Sequence, residues 1–236
     1  MSSTTKNLSS LLASLTLAAL LSSCGPKEAD KVGEAQLCLD TAVQGQATAC
    51  LEKIDGIDTA AANTLRCSAG FIDEGFTQPT RFQNAFDQLS SGGSSATEGF
   101  LSVLSFQSKA TPALNLAYAT QTYGYCVKSG AKGFMLLGSM ANTATNLANF
   151  ANTITPDAAG ITTAITNLVA DPTNPANAPV VSAIGAAIST TYTASCQTGQ
   201  KADASLCSQL DSALVGQNLA DSSAIGLLVL NYWKNH

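Results

Sequence analysis

The chain has one histidine, His236, so residues 1–235 carry no imidazole. That speaks against a Ser-His-Asp or Cys-His mechanism, a histidine-ligated zinc and an ordinary imidazole base. There is no Cys-x-x-Cys spacing, so neither a thioredoxin-like redox centre nor a cysteine zinc site has a frame. No Gly-x-Ser-x-Gly elbow and no Gly-x-x-x-x-Gly-Lys phosphate loop occurs. Charged residues make up 11% of the chain, with 11 Lys and Arg against 16 Asp and Glu. Such a balance is no electrostatic footprint for nucleic acid. The expectation is a protein without metal or cofactor, and not an enzyme. A long hydrophobic run is also missing. Leu8 to Leu21 is apolar but broken by serines and a threonine. It falls short of the roughly 20 residues that a membrane span needs.

What that stretch does have is an ending. Lys6 supplies a short positive region, the apolar run follows, and Leu21-Ser22-Ser23-Cys24 closes it with small residues and a cysteine. This segment resembles the processing site of bacterial lipoproteins. The resemblance implies cleavage before Cys24, a diacylglyceryl thioether on its sulfur and an added acyl chain such as palmitate. Two or three chains hold a domain at a bilayer where one would let go, because each buried methylene contributes ~0.8 kcal/mol. Gly25 stands where an aspartate would signal inner-membrane retention, so the address implied is the outer membrane, facing the periplasm. Inner-membrane location and surface exposure stay open. The expected organisation is a signal peptide over 1–23, a lipidated tether over 24–30 and a helical domain over 31–236, with a possible subdivision at 171–178. Losing Lys6 with the leader makes the formal charge one unit more negative than −5, so the lipid must do the anchoring.

Six cysteines remain besides Cys24: Cys38, Cys50, Cys67, Cys126, Cys196 and Cys207. An even number in an exported chain points to disulfides, the alternative being small buried hydrophobes.

Helical periodicity runs through the sequence and strand alternation does not. Val32, Ala35, Leu39 and Ala42 make one stripe; Ala47, Leu51 and Ile54 another, after a turn at Gly45. Asp58 is expected to cap a helix striped by Ala61, Leu65, Ala69, Ile72 and Phe76, with Gly75 at its exit. Pro79 opens a helix through Phe82, Phe86 and Leu89 that stops in the Ser90-Ser91-Gly92-Gly93-Ser94 loop, and Ser95 with Glu98 forms a capping box. Leu116, Thr120, Tyr123 and Val127 are expected on the packed side of a helix from Pro112 to Gly130. Lys132 to Asn152 follows, then Thr155-Pro156-Asp157 as a helix start with the threonine as cap. The proline-rich 171–178 segment is the one clear linker. Later helices carry Val180, Ile184 and Ile188, then Leu206, Leu210 and Leu214, then Asp221 to Trp233. The fold class is therefore all-α: an irregular bundle of about ten short helices, supported by disulfides.

Between Lys132 and Lys201 only Asp157 and Asp171 are charged. Such a stretch suits closely packed helices whose Ser and Thr return hydrogen bonds to the preceding turn. Cys38 and Cys50 flank the Gly45 turn about equally, and Cys196 and Cys207 flank Gly199, so helical hairpins would pair each and leave Cys67 for Cys126. Loop entropy assigns ~3 kcal/mol to each short bridge and ~4 kcal/mol to the long one.

Ala47, Cys50, Ala62 and Ala69 are small where paired helices come close, and on these residues 31–76 weakly resemble a tetratricopeptide array. The period does not continue, so an irregular bundle is the expectation for the whole.

Asp55-Gly56-Ile57-Asp58 lacks the alternating acid and closing glutamate of a calcium loop and reads as a turn plus cap. Asp73-Glu74 could suggest paired carboxylates, but adjacent helical residues point about 100° apart, and a solvated face is expected. Tyr118, Tyr123 and Tyr125, with Phe100, Phe106 and Phe134 nearby, read as core or as a groove for a peptide or apolar ligand. Tyr232 and Trp233 read as a docking tip or the seal of the last helix. Three functions are compatible with this: a periplasmic scaffold binding an envelope protein, a carrier of a small apolar ligand within 133–200, and an enzyme that works without histidine.

Overall fold

A computed structural model describes residues 27–90, 96–197 and 204–235, and among them it holds eleven α-helices and no strand. They are α1 (Glu28–Leu39), α2 (Ala47–Cys50), α3 (Ala60–Asp73), α4 (Pro79–Ser90), α5 (Ala96–Leu104), α6 (Pro112–Ser129), α7 (Lys132–Phe150), α8 (Ala158–Ala170), α9 (Ala178–Tyr192), α10 (Ala204–Leu214) and α11 (Ser222–Asn235). A 3-10 turn, Leu51–Ile54, continues α2, and a π turn, Thr193–Gln197, continues α9. The chain is all-α, as its periodicity requires. The first helix begins at Glu28, inside the expected tether, because the Asp30 carboxylate accepts from the Lys27 N–H at 3.1 Å and closes its first turn.

Local chemistry sets most of the boundaries, with some reassignments. Thr59, not Asp58, caps α3: its hydroxyl accepts from the Ala62 N–H, which frees Asp58 to take Asn63 and Lys128. Asp157, not Thr155, caps α8, accepting from the Gly160 N–H at 2.7 Å. Gly75 ends α3 at φ +78, with the Phe76 N–H returning to the Phe71 carbonyl at 2.9 Å. The side chains of Phe82, Phe86, Leu89 and Leu206, and residues 91–95 with the Ser95 of the expected capping box, lie outside the described residues. So do Gly199, His236 and the whole of 1–26.

The main core draws on α3, α5, α6, α7, α8, α9 and α11, around Phe71, Phe76, Phe106, Leu147, Ile165, Ile184 and Leu230. Phe71 packs edge-on against Phe76, with 5.3 Å between ring centroids, and against Phe106, with 5.7 Å; both are favourable edge-to-face pairs. From Ala141 to Ala148 every residue of α7 is buried, which is what a charge-free segment of mostly small side chains permits. Two of its buried polar groups bond back to the preceding turn: the Thr145 hydroxyl donates to the Ala141 carbonyl and also accepts from the Phe106 N–H, and the Asn146 amide donates to the Asn142 carbonyl.

The packed side of α6 is one position off the expected stripe. Asn115, Ala119, Thr122, Cys126 and Ser129 are buried, while Thr120 is exposed and Tyr123 and Val127 are half-buried. Close approach selects these residues. The neighbouring helices offer Gly70 to Thr122 and Gly138 to Cys126, and a β-carbon at Gly70 would fall 2.4 Å from the threonine hydroxyl.

The 171–178 linker is a folded turn. Asn177 donates to the Asp171 carbonyl at 2.8 Å, and Ile165 and Leu168 before the turn share one core with Val181 and Ile184 after it.

Candidate functional site

Three disulfides brace the array: Cys38–Cys50, with 5.6 Å between Cα atoms, Cys67–Cys126, with 4.9 Å, and Cys196–Cys207, with 5.3 Å. All three separations are ordinary for a disulfide. The first ties α1 to α2, the second joins α3 to α6, and the third ties the turn after α9 to α10. The first and third are the pairs that the hairpin turns predict, and the second is the pair they leave over. Cys24 and the Leu21-Ser22-Ser23 that precede it lie outside the described residues.

Asp73 and Glu74 do not form the expected solvated face. Asp73 is 2% exposed and Glu74 is fully buried. Asp73 accepts from the Ala47 N–H at 2.6 Å, from the Thr48 N–H and hydroxyl, and from the Tyr118 hydroxyl at 3.1 Å. It thus holds the start of α2 from across the fold. Glu74 turns the other way and accepts from the N–H groups of Gln107 and Ser108 at 2.7 and 3.1 Å, and from the Ser108 hydroxyl. Two neighbouring carboxylates therefore fasten two separate segments. Asp55 accepts from its neighbour Gly56, whose φ is +74, so the 55–58 segment is a turn.

Arg81, which has no sequence signal, completes the second fastening. Its guanidinium donates to the carbonyls of Glu74, Val103 and Ser105 and lies 4.1 Å over the Phe76 ring. Burial lowers its pKa, against the pull of Glu74.

The aromatic cluster divides between two faces of α6. Tyr123 donates to the Ala187 carbonyl at 3.1 Å, and burial raises the pKa of its phenol. Phe106 and partly buried Phe100 and Phe134 belong to the core. Tyr118 and Tyr125, two turns apart, pack against the same core and also face a cleft of roughly 380 Å³ with Thr48, Glu52, Asp55, Arg66 and Gln121. Its walls are fixed. Arg66 donates to the carbonyls of Ile54 and Ile57 at 2.8 and 2.7 Å and sits 5.5 Å over Tyr125. Lys109 lies 4.0 Å over Tyr118, whose pKa is raised, chiefly by burial and further by Asp73. Arg66 donates to backbone and to the Asn63 side chain, and exposed Glu52 and Asp55 put two carboxylates on the rim. Sequence periodicity places both tyrosines on one helix face; it carries no sign of Arg66, whose partners lie 9 and 12 residues earlier.

Among the described residues no cluster of His, Cys, Asp and Glu could hold a metal ion, and no helix is long and apolar enough to cross a membrane. No protein-family model, curated protein or solved structure matches the chain.

Proposed function

We propose that this chain is a lipid-anchored protein of the bacterial envelope, held at the outer membrane and facing the periplasm, whose helical domain binds a protein partner. The tyrosine cleft carries the reading. It presents Tyr118, Tyr125 and Arg66 on helices that a disulfide and carboxylate fastenings hold in place. Tyrosine and arginine are over-represented among binding hot spots. A preorganised cleft loses little entropy when it is filled. The acidic rim suits a partner segment bearing lysine or arginine, whose cation can also lie over a tyrosine ring.

The anchor rests on the Leu21-Ser22-Ser23-Cys24 motif, and the disulfides support an oxidising compartment. The other six cysteines are spent on one another, which leaves Cys24 for the lipid.

A photo-reactive side chain at Gln121 in the full-length protein tests the cleft. Partner adducts are expected in the envelope and their loss with Tyr125→Ala; recovery of monomer alone sinks the reading. Cys24→Ala tests the anchor separately. It should release folded protein from the membrane fraction, and a variant that stays bound overturns the assignment.

A further inference from the structure

α7, α9, α10 and α11 line a second, partly open pocket, of about 160 Å³, that shares no residue with the tyrosine cleft. Leu136 and Met140 come from α7, Ile188 from α9, Leu210 from α10, and Leu228 and Trp233 from α11. Among the described residues no charged one lines it. Three hydroxyl residues interrupt the apolar wall, Ser139, Thr191 and half-exposed Tyr232, and the first two are in different states. Thr191 is engaged with the Tyr123 hydroxyl at 3.3 Å. Ser139 is 1% exposed, and its hydroxyl has no hydrogen-bond partner among the described residues.

An apolar void normally shrinks as its walls relax, to the extent that they can move. Here they are pinned. α9 and α11 meet at Gly185 and Gly226, where the backbones already touch. α10 is tethered to the end of α9 by Cys196–Cys207, one turn before Leu210. The space is a product of how the helices are fastened, and it is of the size that binds a single ring: apolar cavities of about 150 Å³ accept benzene. Sites for drug-sized molecules start at about 300 Å³, so a sterol or a full acyl chain is too large.

We propose that this pocket binds one small apolar molecule of single-ring size that carries a hydroxyl, with Ser139 as its hydrogen-bond partner. The pocket spans the seam between residues 133–200 and the two C-terminal helices, so its ligand is held by both. Trp233 then acts as part of the wall and not as an exposed tip.

Trp233 is the only tryptophan in the chain, so its fluorescence reads this pocket directly. Cyclohexanol and methylcyclohexane, matched in shape and different in one hydroxyl, are titrated into the full chain. Both should give a saturable change. Ser139→Ala should weaken cyclohexanol about fivefold, the share of one hydrogen bond, and leave methylcyclohexane unchanged. Leu228→Phe should fill the space and abolish both signals while circular dichroism stays helical. A signal that never saturates, or that saturates alike in wild type and Leu228→Phe, overturns the site. Unchanged cyclohexanol affinity in Ser139→Ala overturns the role of its hydroxyl, and that arm stands even if Leu228→Phe fails to fold. None of these outcomes bears on the tyrosine cleft.

Discussion

Gly185 and Gly226 meet where α9 crosses α11, so closely that neither position has room for a β-carbon. One built on Gly185 would lie 1.8 Å from the Ser222 carbonyl oxygen, and one on Gly226 would lie 1.9 Å from that of Val181. Both obstacles are backbone, which cannot swing aside as a side chain would. Gly185→Ala and Gly226→Ala should each cost at least the about 1–3 kcal/mol typical of overpacking. Gly124→Ala is the control, because it sits in α6 with nothing near its missing β-carbon. It should stabilise by about 0.5–1 kcal/mol through helix propensity. Urea midpoints at unchanged m-value separate the two, and a neutral Gly185→Ala would contradict the crossing.

The Asp73 fastening predicts a graded pair of variants. Asp73→Asn removes the charge that four donors share and turns an amide N–H₂ towards some of them, so it should cost about 2 kcal/mol. Tyr118→Phe removes one of those donors and should cost about 1 kcal/mol. Chemical denaturation reads both. Equal costs would mean that the phenol, not α2, is the carboxylate's main partner.

Alkaline titration should find that Tyr118 and Tyr123 ionise late in the folded protein. Burial raises both phenols above the ordinary 10.0, and in the unfolded chain they ionise near that value. A group raised by folding contributes its full stability below the unfolded pKa and loses it as pH climbs towards the folded one. Stability should therefore fall above about pH 10, with the absorbance of these two tyrosinates appearing at higher pH in the folded protein than in the unfolded chain. Ionisation of all five tyrosines at pH 10 in native protein would refute this.

Asp58 gives the acid counterpart. Its pKa is lowered from 3.8 by the Asn63 hydrogen bond first and by Lys128 next. The sign is opposite: the contribution is complete above the ordinary carboxylate value and disappears as pH falls through the lowered one. Carboxyl NMR should give a midpoint under 3.8, and Lys128→Met should move it back up.

Sequence and structure agree where the cause is local and part where it is not. Gly75, Gly130, Pro79 and the turns between cysteines each act within a few residues, so helix ends and the two short disulfides are legible from spacing, and Cys67–Cys126 follows as the remainder. The burial of Asp73 and Glu74 is not legible. Their donors lie 25 to 45 residues away, and an acidic pair in sequence looks the same whether water or protein surrounds it. The packed side of α6 is misread for a related reason. A scale that rewards Leu116 and Val127 cannot see that Gly70 and Gly138 open room for Thr122 and Cys126. The pocket at Trp233 depends on four helices at once, and no single periodicity contains it.

The bridges join the first cysteine of the described chain to the second, the third to the fourth and the fifth to the sixth. A polypeptide that crosses a membrane amino-terminus first would show an oxidase each cysteine and its mate before any later one arrives. Strict order of appearance then yields the native set, and nothing has to be reshuffled. Folding should accordingly need an oxidase but no disulfide isomerase. Cells lacking the isomerase should accumulate the same amount of correctly bridged protein, and a fall in that yield would show that the cysteines do not pair as they emerge.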